Sequence, residues 1–209
     1  MDIISNDSTF GMDIISYDST FGMVLMSFIT FNCFALLNNK EIRDTKWWLG
    51  YFMCCINYLF TYYIGRQLTI PVSVTNTFGY NDLLAFVPYV FISDAVFYFT
   101  HRLAHTKYLY KIHKQHHEWH DPVSTSFLDS NPVEHFMVNV PTVVVPFYII
   151  KISNVGKIIW VVLATTNSVI AHMTSLDNES AHVLHHKLRR VNYGAGGFYL
   201  MDRMFGTYK

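Results

Sequence analysis

The chain has 209 residues, 51% apolar and 17% aromatic, with 14% charged side chains against about 25% in an average soluble domain. Fifteen basic and fifteen acidic residues cancel, which removes any electrostatic case for nucleic-acid binding. Cys33, Cys54 and Cys55 all lie in apolar runs; they exclude a disulfide framework and are expected as buried free thiols.

The length fits one domain. Residues 1–11 (MDIISNDSTFG) and 12–22 (MDIISYDSTFG) form a tandem repeat that differs only at Asn6 and Tyr17, with Met12 a possible alternative start. The repeat is acidic and lacks the basic region of a cleavable signal. We expect 1–22 as a duplicated, frayed tail and 23–209 as the membrane domain.

Two uncharged runs follow, 21–37 and 47–65, each about long enough to span hydrocarbon. Trp47 and Trp48 stand where interfacial anchors belong. A polar connector, 38–46, separates the two runs. The third run is 83–100. The fourth, 136–150, is broken by Pro141 and Pro146, and the fifth, 158–171, is short, so these two are either full spans or a partial-depth hairpin. If 38–46, 101–132 and 172–209 share one side, they hold twelve of the fifteen Lys and Arg residues. The positive-inside rule then makes that side cytosolic. The fold class expected is all-α: a polytopic helical membrane protein with a cytosolic helical cap.

Eight of eleven histidines fall in three groups on that side: His101 and His105; His113, His116 and His117; and His182, His185 and His186. On a helix these spacings put the imidazoles on one face. Neutral imidazole is the commonest protein ligand for transition metals. His172, at the end of the fifth run, makes a ninth candidate. A catalytic zinc needs three or four protein ligands, so nine suggest two metals. The lack of thiolates in these groups disfavours an iron–sulfur or Cys-zinc centre, and imidazoles suit a pair of irons; such sites also accept zinc during purification.

Asp94, Tyr98, His101 and His105 lie on one helical face. A carboxylate inside an apolar span is costly and usually functional, and Asp94 is expected to accept the outer N–H of a ligand imidazole. His120, Glu134, His135 and Tyr193 are further candidates for groups standing behind the ligands. The aromatic stretch around Phe86–Phe99 is a candidate lining for a lipid tunnel, and the GAGG run at 194–197 reads as a flexible turn. No flavin, haem or nicotinamide motif is visible, so electrons must come from a separate partner.

The stretches DAVFYFTHRLAH, LYKIHKQHHEWHDP, NPVEHF, AHVLHHKLRRVNYG and DRMFGTY, in this order from Asp94 onward, resemble the fatty acid hydroxylase superfamily. That superfamily includes C-4 methylsterol oxidases, sterol C-5 desaturases and sphingolipid fatty acid hydroxylases; the HKQHHEWHDPVS and NPVEHF stretches look most like the first. The resemblance implies an integral membrane enzyme of the endoplasmic reticulum. It implies a non-haem di-iron centre, O2 as co-substrate and hydroxylation, oxidation or desaturation of a sterol or fatty-acyl lipid. It also implies cytochrome b5 or a reductase as electron donor, with Lys107, Lys111, Lys114, Arg189 and Arg190 suited to docking it. His101, His105, His113, His116, His117, His182, His185 and His186 match the family ligand positions, and His172 the histidine ending the last span. Many members carry another histidine four residues on, where this chain has Leu176. Two alternatives therefore stay open: a catalytically inactive metal- or lipid-binding relative, and a membrane zinc hydrolase, although no HExxH is present.

Overall fold

The computed structural model describes residues 8–71, 73, 75–174, 180–194 and 198–209, with side chains from Ser19 onward. Among these residues the structure is helical, with no strand. The long helices are α1 (Ser8–Leu37), α2 (Thr45–Gly65), α3 (Tyr80–Ala104) and α7 (Asn154–Ala171). Between them come α4 (Tyr110–His113), α5 (Pro132–Glu134) and α6 (Val140–Ile149); α8 (Ala181–Leu188) and α9 (Leu200–Met204) close the chain.

Three segments are long and apolar enough to cross a membrane: Ser19–Leu37, Tyr80–Ala104 and Asn154–Ala171. The 21 residues of α2 match them in length, about 30 Å at 1.5 Å per residue. Its tryptophans and tyrosines make it less apolar. The ten residues of α6 prolong α5 and a π-turn without a break, so Pro132–Ile149 is one helical stretch that runs beside α7. Between α5 and α6 the backbone widens into a π-turn over His135–Asn139. Pro141 follows directly; it has no N–H to give and its ring crowds the carbonyl four residues back, and the wider turn absorbs both defects.

Polar caps set the helix starts. Asp44 accepts the N–H of Trp47 at 2.8 Å, Ser153 that of Gly156 at 2.9 Å, and Ser180 that of Val183 at 3.1 Å. One buried cluster joins α1, α2 and α7 through Phe31, Trp47, Tyr58, Phe127 and Val169. Another joins α3, α6 and α7 through Tyr89, Phe147 and Trp160. Outward faces carry exposed apolar side chains such as Phe52, Leu59, Leu83 and Val87, as lipid contact requires.

Residues Ser8–Leu37 form α1, and Thr20 within it is buried. Two expectations are corrected. Trp47 is no interfacial anchor. It is 1% exposed, because its indole N–H donates to the buried Glu41 at 3.0 Å, whereas Trp48 is half exposed. Cys33 lies on the outer face of α1 and is exposed, since its helix packs through Phe31 and Ala35 instead; Cys54 is buried, and all three thiols are free.

Candidate metal centre

The ends of α3 and α7, α8 and the segments 105–131, 189–194 and 198–209 converge at one end of the bundle. His101 and His105 occupy the last turn of α3 and its cap, His113 ends α4, and His116 and His117 lie on a 3-10 turn. His172 caps α7, and α8 supplies His182, His185 and His186. The structure brings all nine together, in two sets. His101, His105, His113, His117 and His185 form one, and His116, His172, His182 and His186 the other.

The split corrects the idea that each HxxHH motif presents a single face. His113 and His117 join one set while His116 turns to the other; His182 and His186 join one set while His185 turns away. Residues four apart share a face, and an adjacent pair points about 100° apart. HxxHH is thus a motif that reaches into two sets at once.

Within the five-histidine set, His105 Nε2 lies 3.3 Å from His101 Nε2, 3.0 Å from His113, 3.2 Å from His117 and 3.0 Å from His185. Nitrogens about 2.1 Å from a common ion sit about 3.0 Å apart at right angles and about 3.4 Å apart in a tetrahedron. The spacings fit one shared cation. In the four-histidine set, His172 Nε2 is 3.3 Å from His116 Nε2 and 3.1 Å from His182 Nε2.

The opposite ring nitrogens fix the tautomers. Nδ1–H of His101 donates to the Tyr193 carbonyl at 2.6 Å, His185 to Val191 at 2.6 Å and His172 to Ser168 at 2.7 Å. His186 donates to Trp119 at 2.8 Å and His182 to Gly194 at 3.3 Å. His113 donates to the Glu134 carboxylate at 2.6 Å. A proton held on Nδ1 leaves Nε2 as a lone pair pointing inward, the form that binds a metal. Burial, then the neighbouring His113 and Arg189, pushes the His105 imidazole down to about 3; burial takes His172 to about 4. Burial beside other imidazoles likewise holds His116, His117, His182, His185 and His186 well below the ordinary value. These rings are neutral at pH 7, and their converging lone pairs are complementary to a cation.

A cavity of about 430 Å³ runs from His101, His113, His116, His172 and His182 into the bundle. Its walls are mainly apolar: Met23 and Val24 of α1, Phe86, Val90 and Phe97 of α3, Val143 and Phe147 of α6, and Trp160 of α7. The stretch Phe86–Phe99 supplies one wall; α1, α2, α6, α7, the π-turn and Phe127 and Leu128 supply most of the others.

The candidates behind the ligands divide. Glu134 receives His113, and the Tyr193 backbone carbonyl receives His101. Asp94 takes no histidine N–H. Its Oδ2 accepts the N–H of Met201 at 2.9 Å and docks α9 onto α3, a contact helical periodicity alone cannot foresee. His120 is 66% exposed, 3.6 Å from Asp121 and outside both sets, because the chain turns outward after Trp119. His135 faces α2 instead, with Nε2 2.6 Å from the Thr61 hydroxyl. Leu176 and residues 195–197 lie outside the described residues. Gly194 is no loose hinge: a Cβ there would meet Asp202 Oδ2 at 2.9 Å.

Two carboxylates escaped the sequence reading. Asp129 accepts the Trp119 indole N–H at 2.7 Å and the Gln115 amide at 2.8 Å, bracing the loop that carries His116 and His117. Asp202, fully buried, accepts the backbone N–H groups of Tyr193 and Gly194. DRMFGTY contains Asp202, but a contact to backbone leaves no partner to read in the sequence.

The chain is 33% identical over 132 residues to human "Fatty acid hydroxylase domain-containing protein 2", covering 60% of this chain and 38% of that protein. It is 32% identical over 136 residues to "Methylsterol monooxygenase 2-2" of Arabidopsis thaliana, covering 58% and 51%. It is 29% identical over 135 residues to the "Delta(7)-sterol 5(6)-desaturase ERG3A" of Gibberella zeae, covering 61% and 38%. The matches thus span about two fifths to one half of these relatives' lengths. No solved structure matches the chain. The fatty acid hydroxylase family model matches residues 86–207, more than half the chain and the stretch that carries all nine clustered histidines, and the chain belongs to that family.

Proposed function

We propose that this chain is a membrane-bound, histidine-ligated di-iron enzyme that uses O2 to hydroxylate, oxidise or desaturate a sterol or fatty-acyl lipid. The observation that carries this reading is the convergence of nine inward-facing imidazoles at the end of an apolar cavity inside a helical bundle. His101, His105, His113, His117 and His185 would hold one metal, and His116, His172, His182 and His186 the other. Two irons held there would supply the electrons and O2 activation that attack on an unactivated C–H bond requires.

The protein's own part is placement. Glu134 keeps the His113 proton on Nδ1, and backbone carbonyls do the same for five other rings. Met23, Phe86, Val143 and Trp160 exclude water and offer an apolar lipid a wall to lie against. The relatives' printed names, a methylsterol monooxygenase and a sterol desaturase, favour a lipid of this kind. The uneven distribution of basic residues favours a cytosolic metal centre, and the family resemblance favours the endoplasmic reticulum. Lys107, Lys111, Lys114, Arg189 and Arg190 are exposed at that end and suit an acidic electron donor such as cytochrome b5 or a reductase.

The test is elemental analysis of protein purified anaerobically after iron supplementation, beside a His116→Ala/His185→Ala variant. Iron-replete membranes are then incubated with 18O2, a reductant and a sterol and fatty-acyl panel, read by mass spectrometry. Two irons per chain, lost in the variant, with an oxidised lipid formed only by the parent protein, support the proposal. One zinc that iron supply does not displace, with no lipid oxidised, refutes it.

A further inference from the structure

We infer that Asp202 is a positioning residue for both metal sets, acting through the adjacent residues Tyr193 and Gly194 rather than on any histidine directly. The inference rests on the metal-binding reading above. Asp202 Oδ2 accepts the N–H of Gly194 at 2.7 Å. That N–H belongs to the same planar peptide as the Tyr193 carbonyl, which accepts His101 Nδ1–H at 2.6 Å. One rigid unit therefore links a buried carboxylate to a ring of the five-histidine set. A carboxylate on the N–H side polarises the carbonyl on the other, making it a stronger acceptor. It is the peptide-relayed counterpart of the direct pair between Glu134 and His113.

The next carbonyl, that of Gly194, accepts Nδ1–H of His182 in the four-histidine set at 3.3 Å. The other carboxylate oxygen, Oδ1, fixes the preceding unit: it accepts the N–H of Tyr193 at 2.8 Å and the Thr207 hydroxyl at 2.7 Å. Residues 193 and 194 are thus gripped from one side by Asp202 and grip one imidazole of each set from the other. Close approach is possible only without a side chain at 194, where a Cβ would lie 2.9 Å from Asp202 Oδ2 and 3.2 Å from Asp94 Oδ1. Asp94 completes the arrangement by anchoring α9, which carries Asp202, to the helix that carries His101.

Asp202→Asn tests this in the full chain in detergent micelles. The amide keeps one oxygen, so either Tyr193 or Gly194 must face an N–H donor. Co(II) serves as probe, titrated against a competing chelator and followed by its d–d absorption. Losing a partner behind a metal-bound histidine typically lowers affinity by about 10–100-fold. We expect a loss of that order at both sets and a shifted Co(II) spectrum, whereas Glu134→Gln weakens the five-histidine set alone. A folded Asp202→Asn protein with parental affinities and spectrum, or weakening confined to one set, overturns the inference. If the variant does not fold, amide hydrogen exchange on the unmutated protein decides. The Tyr193 and Gly194 amides are expected to exchange more slowly once Co(II) is bound, and no change overturns the inference. Unmutated protein that takes up no Co(II) brings down the metal-binding reading itself, a result distinct from parental binding by Asp202→Asn.

Discussion

Replacing Glu134 with Gln should change stability in opposite directions with and without metal. The Glu134 carboxylate lies 2.6 Å from His113 Nδ1, with the two side chains 5% and 1% exposed, and its second oxygen has no hydrogen-bond partner. A hydrogen bond to a charged group in such a place contributes about 1.5–3 kcal/mol. A 10–100-fold loss of metal affinity corresponds to about 1.4–2.7 kcal/mol, so the two estimates agree. In metal-free protein the balance reverses. Without a metal cation in the site, a buried carboxylate carries a desolvation cost of several kcal/mol. Gln keeps the acceptor oxygen and removes that cost, so metal-free Glu134→Gln should melt at or above the parent temperature. The metal-loaded variant should melt below the loaded parent and release one metal equivalent to chelator first. Thermal melts of both forms, with and without metal, and chelator titration measure this. An equal fall in melting temperature in both states would refute the reasoning, because it would make Glu134 a packing residue with no electrical relation to the site.

Three further outcomes are expected. Metal-free protein should lose stability as pH falls: burial holds His105 near 3 and His172 near 4 against an unfolded value of about 6.5, so the contribution is complete above about 6.5 and is lost as pH drops toward about 3–4. Melting temperature against pH checks the sign, and a rise on acidification contradicts it. His120→Ala, at an exposed position outside both sets, should leave metal content unchanged and stability within about 0.5 kcal/mol; loss of a metal equivalent would place His120 in the centre after all. Gly194→Ala forces a Cβ to 2.9 Å from Asp202 and should cost about 1–3 kcal/mol, read as a lowered melting temperature.

The nine clustered histidines were legible because side-chain identity and spacing both point to ligation, and no other role needs so many imidazoles in one apolar chain. Their division into two sets was not. It depends on the 3-10 turn at His116–Glu118 and on how α8 faces α3 and α7, which no local pattern specifies. Glu134 could be guessed from its place before an apolar run. Asp94 misled: helical periodicity puts it on the face of His101, but a residue 107 positions later supplies the N–H it accepts. The long helices were visible as apolar runs. The burial of Trp47 was not, because its partner, Glu41, sits in a connector that reads as solvent-exposed polar sequence.

The anchoring of His101 by residues that follow it so late has a consequence for biosynthesis. A ribosome adding about 5–20 residues per second needs roughly 5–20 s to travel from His101 to Thr207. Once His117 is made, the first five clustered histidines wait for α7, α8 and then the segment that orients them. A nascent chain can therefore offer imidazoles to stray cations before either set has its full complement. A nonsense lesion that removes Asp202 leaves every clustered histidine in place, yet yields a chain in which residues 193 and 194 lack the carboxylate that holds them.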